Sequence, residues 1–365
     1  MTAARRLTTL GSDMATLIHG IQQLGIGVAN AEQSFRWFRK AFGIDIPVFD
    51  DPGKPVHMLR YTGQTLQERR AILAANIQGG SAFEIWQYTS RTPTAPAFEL
   101  ALGDCGIFAA KIKARNIESA HATLLAAGIP PAGPIEVAPD GTRRFSVRDP
   151  WNNWYEIGPS DQWFTKGKSE FGAASGCIIG VADVERSLRL YRDLLGYSTV
   201  VYDVSGSFSD FAHFPGGSSS VRRILLARPE PSCGPFGRWI GPSTLELVRN
   251  LDNAPRKAFE GRYWGDLGFI HLCFDVHGME TLKSQCAAAG FGFTVDSAES
   301  FDMGDASGRF AYIEDPDGTL IEFVEAHRIP VVKKLGLFLN LTRRNPEKPL
   351  PDWMVRLLGL GRVKE

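Results

Sequence analysis

Four acidic residues interrupt strands that are otherwise apolar. They are Glu84, Glu156, Glu246 and Glu322. Glu322, for example, stands between Ile321 and Phe323. Because successive side chains of a strand point to opposite faces, each carboxylate lies on the face away from its apolar neighbours. A carboxylate on a sheet face that is partly shielded from water is unfavourable unless a cation or hydrogen-bond donors compensate its charge. The pattern therefore indicates buried acids that need partners.

A histidine interrupts another apolar strand. His271 lies between Ile270 and Leu272, and it shares a face with Phe269 and Cys273. Carboxylate oxygens combined with one imidazole suit a borderline or hard divalent ion, so we expect one bound Zn, Ni, Co, Mn or Fe(II) ion. The five cysteines are widely spaced and form no Cys-x-x-Cys pair, which argues against a thiolate metal site. Reduced core thiols are typical of a cytoplasmic protein.

The elements that must position these residues recur along the chain. Residues 149–156 (DPWNNWYE) align without a gap with residues 315–322 (DPDGTLIE), and both predict a tight turn followed by a strand that ends in Glu. Residues 24–30 (LGIGVAN) align in the same way with residues 177–183 (CIIGVAD). The repeats divide the chain into four units, each a strand, a helix and several further strands, at about residues 17–95, 104–160, 172–250 and 266–328.

This pattern resembles the vicinal oxygen chelate superfamily, which includes glyoxalase I, methylmalonyl-CoA epimerase, extradiol dioxygenases and the fosfomycin and bleomycin resistance proteins. The resemblance covers about residues 17–328. It implies an α+β fold in which four βαβββ units form two cupped mixed sheets. The predicted organisation is a flexible leader at 1–16, a first module at 17–160, a linker at 161–171, a second module at 172–328 and a C-terminal arm with a short amphipathic helix at 329–365.

The resemblance also implies where a metal would bind. Ligands in this superfamily come from the first and last strands of each unit. Those positions hold Gln23 and Glu84, Ala109 and Glu156, Gly176 and Glu246, and His271 and Glu322 in the four units. If neighbouring units pair, Glu246 joins His271 and Glu322 in one cup. We favour pairing of the first unit with the fourth, because this gathers Gln23, Glu84, His271 and Glu322, the ligand set of some glyoxalase I enzymes.

The remaining positions form the second cup, for which we expect no metal. Ala109 and Gly176 have no side-chain donor, and two carboxylates alone bind a transition ion weakly. We interpret Glu156 and Glu246 as remnants that are bonded to neighbouring donors. The prediction can be tested by the side chains that surround these two acids.

The resulting function is a metal-dependent, glyoxalase-like lyase or isomerase. Glu322 would move a proton next to a metal-polarised carbonyl, and Glu84 would serve the opposite face. Candidate substrate contacts are Trp264, Phe301, Met303 and Arg309. One alternative is an iron-dependent dioxygenase that cleaves extradiol or hydroquinone rings, but its usual ligands require a second histidine where Gln23 stands. The other is a non-catalytic protein that binds a small molecule.

Composition limits the partners. The chain has 40 basic and 40 acidic residues among 365, so it lacks the basic excess of a nucleic-acid-binding protein. No apolar run reaches about 18 residues, so stable insertion into a membrane is not expected. A small-molecule substrate is the expected partner. The C-terminal arm is expected to pack on its own chain or on a dimer mate, which leaves a homodimer open.

Overall fold

The computed structural model describes residues 16–167, 169–298, 301–303, 306–332 and 336–363. The predicted leader, residues 1–16, lies outside the described residues except for Thr16. The strands in chain order are β1 Leu17–Gly27, β2 Ile46–Gly53, β3 Arg69–Ala75, β4 Ala82–Tyr88, β5 Gly106–Ala114, β6 Glu136–Val137, β7 Arg143–Arg148, β8 Trp154–Pro159, β9 Phe171–Gly180, β10 Thr199–Gly206, β11 Val221–Ala227, β12 Thr244–Asn250, β13 Gly268–His277, β14 Val295–Asp296, β15 Phe301–Met303, β16 Ala306–Glu314, β17 Leu320–Val332 and β18 Leu337–Asn340. The α-helices are α1 Ala31–Phe42, α2 Ile117–Ala126, α3 Val184–Leu188, α4 Gly237–Ile240, α5 Met279–Ala288 and α6 Asp352–Arg356.

The strands form two cupped mixed sheets, and the fold is α+β. We call the sheet built from the first and fourth units the outer sheet, and the sheet built from the second and third units the inner sheet. The outer sheet has the order β14-β16-β17-β13-β1-β4-β3-β2, with β15 beside β16 and β18 beside β17. The inner sheet has the order β10-β11-β12-β9-β5-β8-β7-β6. In the outer sheet β1 runs antiparallel to β13, and in the inner sheet β5 runs antiparallel to β9. The predicted pairing of the first unit with the fourth is therefore confirmed.

The helix that follows the first strand of each of the first three units begins at a side-chain cap. Asn30 accepts a hydrogen bond from the backbone of Gln33, and Asp183 accepts one from Arg186. These caps satisfy backbone donors that a helix leaves free at its start. The aromatic stripe of α1, formed by Phe35, Phe38 and Phe42, is buried in one apolar core that also contains residues from both sheets.

The repeated Asp-Pro turns set the start of the strands that carry two of the acids. The carboxylate of Asp315 accepts hydrogen bonds from the backbone N–H groups of Asp317 at 2.9 Å and Thr319 at 2.7 Å. Asp149 makes the equivalent pair of bonds in its own turn. Such Asx turns fix the chain direction. Because β17 starts directly after its turn, the turn also fixes the face on which Glu322 lies.

The C-terminal segment packs on its own chain, one of the two outcomes expected for it. Leu341, Leu350 and Val355 are buried in a cluster with Ile46 and Trp239. The backbone of Leu350 donates to the carbonyl of Pro235, and that of Leu341 to His327. Within the described ranges, no helix is both long enough and apolar enough to cross a lipid bilayer.

Candidate metal centre

Four side chains meet on one face of the outer sheet. Their strands β1, β4, β13 and β17 are neighbours in the sheet, although Gln23 and Glu322 are 299 residues apart in sequence. The Nε2 atom of His271 lies 3.4 Å from Oε2 of Glu84 and 3.2 Å from Oε2 of Glu322. The amide Nε2 of Gln23 donates to Oε2 of Glu322 at 3.3 Å. The structure thus brings together all four predicted ligands.

The spacing of these atoms fits a single metal ion. Donor atoms about 2.1 Å from a common ion stand about 3.0–3.4 Å from one another. The Nε2 atom of His271 is buried and has no hydrogen-bond partner, although both carboxylates are near it. In the part of the chain that the structure describes, Glu84, His271 and Glu322 are the one group of three His, Cys, Asp or Glu residues whose ligand atoms all lie within 4.8 Å. The residues present therefore fit a divalent ion.

Burial shapes the charges of this site. It raises the pKa of both Glu84 and Glu322, and the charge of Glu84 raises that of Glu322 further. Burial also lowers the pKa of His271 to about 3, so the imidazole is neutral, which is the form that binds a metal. No described lysine or arginine forms an ion pair with either carboxylate. The charge of Arg69 lowers the pKa of Glu84 without an ion pair between them, so the site holds two acids with no described cation in contact with them.

Aromatic side chains surround the cluster and fix the imidazole. The edge of Tyr312 meets the His271 ring, with centroids 5.8 Å apart and an interplanar angle of 82°. The Trp264 ring lies within 18° of parallel to the His271 ring, and its indole nitrogen is 3.4 Å from Nδ1. The ring of Trp86 makes an edge contact with the ring of Trp264, with centroids 4.7 Å apart. This wall leaves the histidine fully buried, whereas the Glu84 and Glu322 side chains are 13% and 10% exposed.

The predicted substrate residues have different outcomes. Trp264 lies at the cluster, as described above. Arg309 does not, because strand alternation places it on the face of β16 opposite to Tyr312. Its guanidinium instead donates two hydrogen bonds to Asp296, at 3.0 and 2.8 Å. The prediction that Arg309 binds substrate is therefore not supported by its position, and the side chains of Phe301 and Met303 lie outside the described residues.

In the inner sheet, basic side chains form ion pairs with the equivalent buried acids. The Lys111 ammonium bonds both Glu156 and Glu246, the latter at 2.7 Å. Arg223 donates to Glu246 at 2.6 Å and Tyr202 donates to it at 2.7 Å. Burial acts to raise the pKa of Glu246, but the nearby positive charges outweigh burial and hold it well below its usual range. The interpretation that these two acids are bonded to neighbouring donors is confirmed.

Lys111 is the residue that the sequence interpretation missed. It pairs with Glu156 across β5 and β8, and it lies opposite Gly176 across β5 and β9. The signal was present, because Lys111 interrupts the apolar strand GIFAAKIKA on the same face as Ala109. That the inner sheet binds no metal remains a prediction.

The sequence matches a protein-family model over most of its length. The model of the Glyoxalase/Bleomycin resistance protein/Dioxygenase superfamily matches residues 20–157 and 175–323. The chain belongs to this superfamily. The matched ranges contain Gln23, Glu84, His271 and Glu322, and the resemblance inferred from the repeats is confirmed. A comparison with curated protein sequences finds no significant match.

Solved structures share the fold over most of the chain. A putative dioxygenase from Bacillus subtilis subsp. subtilis str. 168 aligns with a TM-score of 0.57 at 11% identity, covering 96% of this chain and 98% of that chain. Glyoxalase I from Zea mays aligns with a TM-score of 0.52 at 12% identity, covering 85% and 92%. At such low identities the likeness concerns the fold, and function must be argued from the site.

Proposed function

We propose that this protein is a metal-dependent lyase or isomerase that moves a proton on the carbon next to a carbonyl group of a small molecule. The observation that carries the proposal is the contrast between the two cups. The equivalent acids form ion pairs with lysine and arginine in the inner sheet, whereas no described lysine or arginine forms an ion pair with Glu84 or Glu322 in the outer sheet. A divalent ion would balance the charges of the two carboxylates and would bind the neutral imidazole as a ligand.

Gln23, Glu84, His271 and Glu322 would hold one ion, taken from the class Zn, Ni, Co, Mn or Fe(II). When bound, such an ion supplies Lewis-acid polarisation of a substrate carbonyl. His271 is fully buried and serves to hold the site. The partly exposed carboxylates of Glu84 and Glu322 are the groups that a substrate can touch.

The two carboxylates lie 3.4 and 3.2 Å from Nε2 of His271, so both would stand next to a substrate that binds at this site. Glu322 acts as the principal base: its carboxylate oxygen accepts the proton that leaves carbon, and the same proton is returned to an adjacent atom. The amide of Gln23 donates to Glu322 and keeps its carboxylate oriented. Glu84 is the second carboxylate within reach of the substrate and would serve the opposite face of its reacting carbon.

The donor set argues against the dioxygenase alternative. Ring-cleaving iron enzymes commonly use two histidines and one carboxylate. This cluster has one histidine, two carboxylates and an amide. A non-catalytic binding protein would keep the same ligands but would not turn over a substrate, so activity separates it from the proposed enzyme.

The test begins with purified protein stripped of metal and reloaded with each ion in turn. Candidate substrates are α-hydroxy carbonyls, thiohemiacetals and hydroquinones, incubated in D₂O and followed by proton NMR. Metal-dependent isomerisation or exchange of the proton next to the carbonyl is expected. Consumption of oxygen with ring cleavage would assign the dioxygenase instead, and metal binding without any turnover in the screen would favour the binding protein.

A further inference from the structure

A separate cavity of about 220 Å³ lies where the C-terminal segment crosses the ends of β1, β13 and β17. His19, Asp275, His277, Glu325 and Arg344 are among its lining residues, and none of the four metal-cluster residues lines it. Its C-terminal wall begins beyond residue 323, where the family match ends. This part of the cavity therefore belongs to the chain's own extension of the fold.

Two histidines of this cavity are held in the same way. Nδ1 of His19 lies 2.8 Å from Asp275, and Nδ1 of His277 lies 3.0 Å from Glu325. In both rings the other nitrogen, Nε2, is buried and has no hydrogen-bond partner among the described residues. His19 is only 2% exposed. A buried polar atom that stays unpaired costs free energy, so each Nε2 requires a partner that the described part of the chain does not supply.

An arginine adds a third unpaired nitrogen. Nε of Arg344 is also buried without a partner. Its segment is fixed on both sides, because the backbone of Leu341 donates to the carbonyl of His327 and that of Gly234 donates to the carbonyl of Glu347. Three unpaired nitrogen atoms thus belong to the side chains that line one small cavity.

We infer that this cavity binds a phosphate group. Phosphate oxygens accept from an arginine N–H, and a singly protonated phosphate also offers an O–H that a neutral imidazole nitrogen can accept. A divalent metal fits less well, because no three His, Cys, Asp or Glu ligand atoms of the described cavity come within 4.8 Å of one another. A guanidinium would also repel a cation.

Two carboxylates, Asp275 and Glu325, also line the cavity, and each lies close to a histidine. Asp275 lies 2.8 Å from Nδ1 of His19, and Glu325 lies 3.0 Å from Nδ1 of His277 while also accepting from the backbone of Gly278 at 2.9 Å. These contacts direct the carboxylate oxygens toward their own partners, and the guanidinium of Arg344 supplies the positive charge for an anion. The source of the phosphate, free orthophosphate or a phosphate monoester, is left to the experiment.

The test is isothermal titration calorimetry of the full chain in a chloride buffer without oxyanions. Orthophosphate and glycerol phosphate are titrated separately, and the tighter of the two identifies the source. Saturable binding at one site is expected. Arg344→Met should weaken it about 10- to 100-fold, the effect of removing a hydrogen bond to a charged group. His277→Gln should weaken it as well, whereas Arg343→Met, which removes the same charge one residue earlier, should not.

The His271→Ala variant separates this cavity from the metal centre. Phosphate binding should persist in it at wild-type strength, even where metal is lost. Binding that disappears with His271, binding that survives Arg344→Met unchanged, or no saturable binding at all would each overturn the inference. So would a divalent ion bound by the His271→Ala protein and lost on adding His277→Gln, since the cavity would then be a cation site.

Discussion

The backbone of Gly25 lies directly against the imidazole of His271. The two residues are partners across β1 and β13. A β-carbon built on Gly25 would stand 2.3 Å from Cε1 of the ring and 2.6 Å from both ring nitrogens. Atoms cannot approach so closely, so the imidazole keeps its place only while residue 25 has no side chain. Gly25 therefore supports the metal cluster without offering a ligand.

Gly25→Ala should displace His271 and weaken metal binding by at least about tenfold, the usual effect of disturbing a group that orients a ligand. Metal content after dialysis against a weak chelator measures this. Gly158→Ala is the matched control, because it lies in a strand with no atom within 4 Å of its added carbon. Equal metal content in the two variants would show that the ring can move without loss.

Glu322→Gln should keep most of the metal but lose turnover. Glutamine preserves the size and one oxygen ligand, yet it cannot accept a proton at neutral pH. Loss of a general base typically lowers the rate about 10²–10⁴-fold. The measurement is the initial rate per bound metal with the substrate found by the screen. Glu156→Gln, at the equivalent position of the inner sheet, should leave the rate per folded molecule unchanged.

His271→Ala should behave differently, because it removes the cluster's one imidazole. Loss of metal is expected to precede any measurable effect on chemistry, and elemental analysis should find a strongly reduced metal-to-protein ratio. Added metal in large excess should restore part of the rate if the remaining oxygen ligands still bind. A His271→Ala protein with a full complement of tightly bound metal would contradict its role as a ligand.

Lys111→Met should destabilise the fold without touching the metal cluster. The change leaves Glu156 and Glu246 with fewer positive partners in a buried site, and breaking such an ion pair costs about 3 kcal/mol or more. Urea unfolding measures the loss. Lys54→Met, which removes a surface partner of Glu68, should change the free energy of unfolding by less than about 1 kcal/mol. Similar losses in both variants would show that the inner-sheet network contributes little.

Asp315 predicts a pH dependence of stability. Burial raises its pKa to about 6, against about 3.9 in the unfolded chain. The folded protein therefore binds more protons between about pH 4 and 6, and the contribution of Asp315 to stability falls as the pH rises through that window. Linkage gives a loss of about 3 kcal/mol. Unfolding curves at pH 4, 5, 6 and 7 should show this fall relative to Asp315→Asn; parallel profiles would contradict it.

Most of the outer site was predictable because it follows local rules. Alternation along a strand gives the face of Glu84, His271 and Glu322, and the repeated turns give the phase of β17. The pairing of distant units followed from gathering competent ligands, not from any local signal. The four positions could therefore be grouped before any contact was known, once the family resemblance had indicated which strands carry ligands.

The inner sheet was less accessible for a physical reason. Glu246 meets Lys111 only because β5, β9 and β12 lie side by side, an adjacency between two units that no short segment encodes. The partner of Arg309 was hidden for a similar reason, since Asp296 lies on a neighbouring strand of the same unit. Partners of buried charges are set by strand neighbours, whereas a sequence pattern reveals only that a partner is required.

The first and fourth units share one sheet, and the second and third units, which lie between them in sequence, share the other. This order determines when during synthesis the candidate metal site can form. During synthesis the ribosome releases Gln23 and Glu84 first, then the whole inner sheet, and only afterwards His271 and Glu322. Until then the edge of β1 has no β13 to pair with, and exposed edges of this kind invite misassembly and chaperone binding. A chain that stops after its third unit can complete the inner sheet but lacks His271 and Glu322. On the proposed function, metal loading would mark a polypeptide whose translation has passed the fourth unit.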